Sequence, residues 1–114
     1  MNSSEKKYYV YIVECADGTF YTGYTTDVDR RLDEHNYSIK RAAKYTRSRR
    51  PVKLIHKEVF DTMSDALKRE HKIKKMSRSA KKNLVNRSLQ WLEYVGEQYE
   101  NTQRKNFHNL SQSF

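Results

Sequence analysis

The chain contains one cysteine, one proline and three glycines, and it has no long hydrophobic segment. The single cysteine, Cys15, excludes an internal disulfide and a zinc site built from several cysteines, and it fits a reducing cytoplasm. The apolar runs are far shorter than the roughly 20 residues that a transmembrane helix needs. Residues 1–7 are polar and lack the apolar region of a signal peptide. We therefore predict a cytoplasmic protein that does not span a membrane.

The charge is strongly unbalanced: 23 Lys and Arg residues stand against 14 Asp and Glu residues, a formal net charge of +9. A charge of this sign and size favours polyanionic partners, with nucleic acid first and an anionic membrane surface second. A basic protein that is merely well solvated is the alternative. A length of 114 residues suits a single domain. The nine tyrosines and four phenylalanines supply material for its core.

A β-hairpin is predicted near the start of the chain. Residues 8–15 are rich in β-branched and aromatic side chains, and a returning strand begins at Phe20. Ala16-Asp17-Gly18 suits a three-residue loop with Gly18 in the left-handed region. That loop sets Tyr21 opposite Val13 and Gly23 opposite Tyr11, whereas a two-residue turn puts Tyr21 on the other face. In the first register Tyr11 and Tyr21 share a face.

Two helices are predicted by capping patterns followed by apolar residues at helical spacing. Thr26 and Asp29 predict the start of a helix over residues 27–36. Its apolar stripe also carries two polar side chains; the four members are Val28, Arg31, Leu32 and His35. A charge on a core-facing stripe costs free energy unless it is paired or used.

The second capping pattern, Thr62 with Asp65, predicts a helix over residues 64–76. Glu70 stands within its apolar arc, which comprises Met63, Ala66, Leu67 and Ile73. A carboxylate there is either one half of a structural salt bridge or a ligand for a divalent metal ion. A lone carboxylate with phosphate oxygens and water is adequate for Mg²⁺, which keeps most of its hydration shell.

The remaining elements complete an α+β fold: a three-stranded, mostly antiparallel sheet flanked by helices, in the order β-β-α-β-α-α plus a C-terminal helix. Pro51 opens the third strand over residues 52–60. Ser77-Arg78-Ser79 interrupts the helical pattern before a short helix over residues 80–86 and a second, amphipathic helix from Ser88 to about Arg104. We predict a flexible start at 1–7, a domain at 8–87, and a helical extension at 88–114 with a disordered end.

Cations gather in the connection between the first helix and the third strand. With two tyrosines among them, they suit phosphate contacts combined with stacking on unpaired bases, although a solvated loop is the plainer alternative. The lysine-rich face of the second helix extends this surface. The residues that we predict to bind nucleic acid are Lys44, Arg47, Arg49, Arg50, Lys72 and Lys75.

Two short patterns, Tyr9-Val10-Tyr11 and Tyr21-Thr22-Gly23, resemble the paired motifs of the GIY-YIG nuclease superfamily. Tyr9 replaces the usual glycine, and Thr22 replaces an isoleucine or valine. The order and spacing of three later residues complete the resemblance; they are Arg31, His35 and Glu70. The similarity covers about residues 8–86 and is greatest to the small, stand-alone bacterial group of the superfamily.

The resemblance implies DNA cleavage by a single-metal endonuclease, as in enzymes of DNA repair or recombination. It implies that Tyr21 is the general base, that Tyr11 assists or positions it, and that Arg31 steadies the scissile phosphate. It also implies that His35 supports water or phosphate, and that Glu70 binds Mg²⁺ or Mn²⁺.

Two alternatives stay open, a nucleic-acid-binding module with little or no catalysis and, more distantly, covalent attack on DNA by a tyrosine. The preferred DNA structure is unresolved among single-stranded, branched and duplex forms. The oligomeric state is either a monomer or a dimer formed through the C-terminal helix.

Overall fold

A computed structural model describes the backbone of residues 6–112 and the side chains of 6–90 and 92–98. Its elements, in chain order, are β1 (Tyr8–Glu14), β2 (Phe20–Thr25), α1 (Val28–Tyr37), α2 (Lys44–Arg47), β3 (Lys53–Phe60), α3 (Met63–Lys74) and α4 (Arg78–Gln112). This is the predicted α+β fold, with α2 a single short turn inside the basic connection. The chain divides into two compact units, 1–81 and 82–114. The predicted division after residue 87 stays a prediction.

The sheet has the order β2-β1-β3, and both pairings are antiparallel. Tyr11 pairs with Gly23 and Val13 with Tyr21, so the register predicted from the three-residue loop is confirmed. Gly18 has a φ of 81°, a left-handed conformation that glycine adopts without strain. The loop length therefore decides that Tyr11 and Tyr21 lie on one face of the sheet.

Strand β1 is the centre of the fold, because both of its faces are buried. Its four fully enclosed side chains alternate between the two faces and are Val10, Tyr11, Ile12 and Val13. On the tyrosine face Cys15 and Val52 complete a core cluster, with Tyr21, Leu32 and Leu54 packed against it. Tyr11 is thus an apolar core residue that carries one polar group.

Helix α1 begins one residue later than the sequence predicts, so the predicted cap at Thr26 is wrong. The Asp27 carboxylate accepts a hydrogen bond from the Arg30 backbone N–H at 3.0 Å and is the N-cap. The Thr25 hydroxyl accepts from the Asp27 N–H at 3.1 Å, which orients this aspartate for capping. At α3, in contrast, the predicted cap is confirmed, because Thr62 accepts from the Asp65 N–H at 3.1 Å.

Helix α3 buries a narrower strip than its sequence predicts. Ala66 and Ile73 are fully enclosed against the sheet, whereas Met63 is 48% exposed and Leu67 40% exposed. Glu70 lies between the two buried residues at the i+4 position of that strip. The small Ala66 side chain lets the helix approach the sheet along this line alone, which leaves the flanking apolar residues at its margin.

Helix α4 is continuous from Arg78 to Gln112, where two helices ending near Arg104 were predicted. The interruption predicted at Ser77-Arg78-Ser79 is confirmed at Ser77, which lies between α3 and α4, and is wrong at Arg78 and Ser79, which are helical. The Ser77 hydroxyl accepts a hydrogen bond from the Ala80 N–H at 3.1 Å at the start of α4. Proline is absent from residues 80–112, and the one glycine is tolerated. The outermost residues, 1–5 and 113–114, lie outside the described part, and with them most of the expected flexible start. Within that part, no helix combines the length and apolar character needed to cross a membrane.

One buried hydroxyl in the sheet has no hydrogen-bond partner among the described residues, that of Thr22. We expect Thr22→Val to raise the free energy of unfolding by about 1 kcal/mol, since it removes an unpaired polar group without changing shape. Thr25 is the control on the same strand, because its buried hydroxyl hydrogen-bonds the Asp27 backbone and Thr25→Val should destabilise. Urea unfolding measures both, and a loss of stability in Thr22→Val contradicts the expectation.

A second polar cluster joins β3 to α3 and makes stability depend on pH. Burial opposes ionisation of Glu58, but hydrogen bonds from His56 (2.7 Å) and Arg69 (2.7 and 3.0 Å) outweigh it and lower the Glu58 pKa from 4.5 to about 2. The folded pKa lies below the unfolded one, so the stabilisation is complete above pH 4.5 and is lost as the pH falls towards 2. We expect Glu58→Gln to remove up to roughly 2 kcal/mol of the stability change between pH 6 and pH 3, since that range covers about 1.5 pH units below the unfolded pKa. Urea unfolding at pH 3 and pH 6 measures it, with the exposed Asp33→Asn as control; equal pH dependence in Glu58→Gln and wild type contradicts it.

Candidate active site

A chain of hydrogen bonds connects the centre of the sheet to the basic connection. The Tyr11 hydroxyl lies 2.7 Å from His35 Nε2, and His35 Nδ1 lies 2.9 Å from Thr46 Oγ1. All three side chains are buried, with at most 2% of their surface exposed. His35 reaches Tyr11 because it lies two turns into α1 on the same stripe as Val28, as predicted.

Burial determines the protonation states of Tyr11 and His35 in these hydrogen bonds. Desolvation raises the pKa of Tyr11 to about 12, although the positive charge of Arg31 opposes it. Desolvation and the same Arg31 charge lower the pKa of His35 to about 4. Near pH 7, therefore, Tyr11 is a neutral phenol and His35 a neutral imidazole.

Gly23 makes room for the Tyr11 ring. A Cβ atom at residue 23 would lie 2.6 Å from Tyr11 Cζ, well inside van der Waals contact. Because Tyr11 is enclosed and hydrogen-bonded, its ring has no free direction in which to move. The glycine of the Tyr21-Thr22-Gly23 motif is thus required by the tyrosine on the neighbouring strand.

We expect Gly23→Ala to lower the free energy of unfolding by about 1–3 kcal/mol, the usual cost of overpacking a core. The substitution should also break the Tyr11–His35 hydrogen bond. Gly96→Ala is the control, because no atom lies within 4 Å of its added methyl group and alanine favours the helix. Urea unfolding compares the two, and equal stability of Gly23→Ala and wild type contradicts the expectation.

Tyr21 lies beside Tyr11 but is placed differently. Its ring meets the edge of His35 at a centroid distance of 5.3 Å and stacks on Tyr45 at 6.0 Å. The side chain is only half-buried, and no other described residue hydrogen-bonds its hydroxyl. The two tyrosines of the shared face therefore differ: the Tyr11 hydroxyl is enclosed and hydrogen-bonded, whereas Tyr21 is half-buried and its hydroxyl has no hydrogen bond to another described residue.

Arg31 is held at the site by a carboxylate. It donates to Glu34 Oε1 at 3.0 Å and also to the Arg41 carbonyl oxygen, and its side chain is 22% exposed. Glu34 also forms ion pairs with Arg30 at 3.9 Å and Arg41 at 3.8 Å. One half-buried carboxylate is thus shared by three arginines. The remaining positive charge suits an anionic ligand such as a phosphate.

Glu70 lies on α3 between the buried residues Ala66 and Ile73, and its charge adds to the rise in the Tyr11 pKa that burial causes. It also forms an ion pair with Lys74 at 3.3 Å, one turn further along the helix. Lys74 is half-exposed, whereas the Glu70 side chain is 18% exposed. Nowhere in the described part do three or more His, Cys, Asp or Glu side chains form a metal-binding group. A single hard carboxylate nonetheless fits Mg²⁺ or Mn²⁺, which take most of their ligands from water and phosphate.

The cations predicted to bind nucleic acid have different environments. Arg49 lies 3.9 Å from the centre of the Tyr45 ring and pairs with Asp17, whereas Arg50 donates to the carbonyl oxygens of His35 and Ser38. Arg50 thus closes the end of α1. Arg47 and Lys44 are exposed on α2, and on α3 the exposed Lys72 lines a cavity of about 320 Å³ and Lys75 ends the helix.

Two features of the site were not predicted from the sequence. Thr46 is a fully enclosed hydrogen-bond partner of His35, and Tyr45 extends the Tyr21 ring into a stack that ends on Arg49. Beside that stack, Phe20, Tyr45 and Arg78 help to line a cavity of about 200 Å³. Residues 44–47 carry no amphipathic pattern, so only the folded connection reveals these contacts.

Comparisons with known proteins identify the relatives of the chain. Residues 7–83 match the model of the GIY-YIG catalytic domain. A UPF0213 protein of Syntrophus aciditrophicus is 60% identical, and the match covers 69% of this chain and 90% of that protein. A UPF0213 protein of the archaeon Halobacterium salinarum is 56% identical, and the match covers 68% of this chain and 97% of that protein. The solution NMR structure of an E. faecalis protein is 45% identical, with a TM-score of 0.51 over 72% of this chain and 85% of its own.

Proposed function

The chain belongs to the GIY-YIG family, within the small UPF0213 proteins of bacteria and archaea, and on that basis we propose that it is a metal-dependent DNA endonuclease. The observation that carries the proposal is the cluster around His35: Tyr11 hydrogen-bonds its Nε2 atom at 2.7 Å, and the Tyr21 ring lies 5.3 Å from its ring centre. Arg31 lies one turn before His35 on α1, and the charges of Arg31 and Glu70 both act on the Tyr11 pKa. Cation, phenol and carboxylate together are the groups that phosphodiester hydrolysis requires.

In the proposed reaction, Tyr21 accepts a proton from the attacking water. It is the half-buried phenol of the pair, whereas Tyr11 is enclosed in the core; as a general base, Tyr21 acts in its deprotonated form. Arg31 binds a non-bridging oxygen of the scissile phosphate and balances the charge that develops in the transition state. Tyr11 remains protonated, and its hydrogen bond to His35 holds its ring beside Tyr21. His35 was predicted to support water or phosphate, but it is fully buried with both ring nitrogens hydrogen-bonded inside the protein, so its proposed role is to hold Tyr11.

Glu70 is the residue that would hold Mg²⁺ or Mn²⁺. When bound, such an ion supplies positive charge that stabilises the leaving oxygen. The Glu70 side chain is 18% exposed and lies on the α3 strip that faces the sheet. Although α3 is distant from β1 in sequence, the Glu70 charge acts on the Tyr11 pKa. Lys74 occupies the carboxylate until a stronger cation replaces it.

Nucleic acid is the proposed partner because of the net charge of +9 and the cations around the site. The proposed phosphate contacts come from the exposed members, Lys44, Arg47, Lys72 and Lys75, with Arg49 and Tyr45 as a stacking platform. Arg50 supports this segment from inside. The single cysteine supports a reducing, cytoplasmic location.

The test is cleavage of end-labelled single-stranded, branched and duplex DNA by the full chain. We expect cleavage of at least one form with Mg²⁺ or Mn²⁺ and none with a chelator. Salt-sensitive binding without cleavage of any form refutes the nuclease and leaves a binding module. A protein–DNA adduct that forms without metal instead indicates covalent attack by a tyrosine.

A further inference from the structure

The hydrogen-bond chain that starts at Tyr11 ends on the backbone of the basic connection, and its protons can be assigned. Thr46 has one hydroxyl proton, which it donates to the Ala43 carbonyl oxygen at 3.1 Å. The same oxygen lies 2.9 Å from His35 Nδ1. Because the hydroxyl proton is already used, Thr46 Oγ1 accepts from an Nδ1–H group of the imidazole.

This assignment determines the direction of the next bond. A neutral imidazole carries one N–H group, so a proton on Nδ1 leaves a lone pair on Nε2. That lone pair accepts from the Tyr11 hydroxyl at 2.7 Å. The three hydrogen bonds therefore all donate in the same direction: Tyr11 donates to His35, His35 to Thr46, and Thr46 to the Ala43 carbonyl oxygen.

We propose that Thr46 is a positioning residue of the active site, whose hydroxyl selects the Nδ1–H tautomer of His35 and so holds Tyr11 as a hydrogen-bond donor. The opposite tautomer presents an N–H group to the Tyr11 oxygen, and the Tyr11 proton then needs a different acceptor. By holding Tyr11 as a donor, Thr46 separates the two tyrosines: Tyr11 keeps its proton and Tyr21 is left as the base. The catalytic consequence rests on the proposed nuclease function, whereas the tautomer does not.

Thr46 also joins two parts of the site. It lies within α2 between Lys44 and Arg47, two of the proposed phosphate contacts, and its side chain is fully enclosed. A single hydroxyl thus connects the segment proposed to hold DNA with the buried tyrosine. A hydroxyl in this position affects the reaction without touching the substrate.

The first measurement is the tautomer in the wild-type protein. In two-bond ¹H–¹⁵N correlation spectra of the full chain at pH 7, we expect the protonated-nitrogen shift at His35 Nδ1 and the unprotonated shift at Nε2. The His35→Gln variant assigns these signals among the four histidines. A wild-type His35 protonated on Nε2 overturns the proposal.

The second measurement compares Thr46→Val, which keeps the shape but lacks the hydroxyl, with Thr46→Ser, which keeps the hydroxyl. We expect the valine variant to move His35 towards the Nε2–H tautomer and to lower the single-turnover cleavage rate by about 10- to 100-fold. Its DNA affinity should stay within about twofold of wild type, because an enclosed side chain does not touch DNA. The serine variant should keep the Nδ1–H tautomer of His35 and the wild-type cleavage rate.

The outcomes separate this proposal from the nuclease function. A Thr46→Val protein with the wild-type tautomer and rate overturns the positioning role and leaves the nuclease intact. A wild-type protein with the expected tautomer and no cleavage refutes the nuclease, while the hold of Thr46 on Tyr11 stands. If the valine variant does not fold, the wild-type spectrum and the serine variant still decide.

Discussion

Replacing Tyr21 by phenylalanine is expected to lower the cleavage rate by about 10²- to 10⁴-fold, the usual contribution of a positioned general base. The substitution removes one oxygen and keeps the ring, so the contacts with His35 and Tyr45 remain. Stability and DNA affinity should therefore change little. Single-turnover cleavage with saturating protein measures the chemical step apart from binding.

Tyr37 provides the matched control for this experiment. It ends α1 with 80% of its surface exposed, and it lies outside the cluster around Tyr11. Tyr37→Phe is expected to cleave at the wild-type rate. If Tyr21→Phe also cleaves within about twofold of wild type, then Tyr21 is not the base, since loss of a general base costs at least about 100-fold.

The second large effect is expected at Glu70. Glu70→Gln keeps the size of the side chain and removes its charge, so the metal ion loses its only proposed protein ligand. A bound metal contributes several kcal/mol to charge stabilisation, and we expect cleavage to fall by at least about 100-fold at 1 mM Mg²⁺. The rate should recover in part at higher metal concentration, because affinity for the ion is what is lost.

Glu97→Gln is the control for that substitution, since Glu97 is an exposed glutamate of α4 outside the residues matched by the family. Lys74→Met gives an independent measurement. Removing the lysine that pairs with Glu70 at 3.3 Å should lower the Mg²⁺ concentration needed for half-maximal cleavage. An unchanged metal dependence in both Glu70→Gln and Lys74→Met would exclude Glu70 as the ligand.

The predicted parts of the fold depend on short-range chemistry. The three-residue loop predicts the hairpin register because side chains alternate along a strand, so the loop length decides that Tyr11 pairs with Gly23. The Thr62 cap is confirmed for the same reason, since donor and acceptor lie three residues apart. The cap of α1 was predicted at Thr26 and lies at Asp27. Thr25, Thr26 and Asp27 are all residue types that can cap a helix, so the local pattern does not choose among them.

The sequence by itself determined the α+β order, the family, the shared tyrosine face and the stripe that brings His35 inward, because each follows from spacing along a strand or helix. Only the tertiary structure decided which of the two tyrosines is enclosed and hydrogen-bonded and which is half-buried. The partners that make this difference are distant in sequence: His35 is 24 residues from Tyr11, and Thr46 is 11 from His35. Hydrogen bonds and burial act through space, so protonation at the site depends on packing that no local pattern encodes.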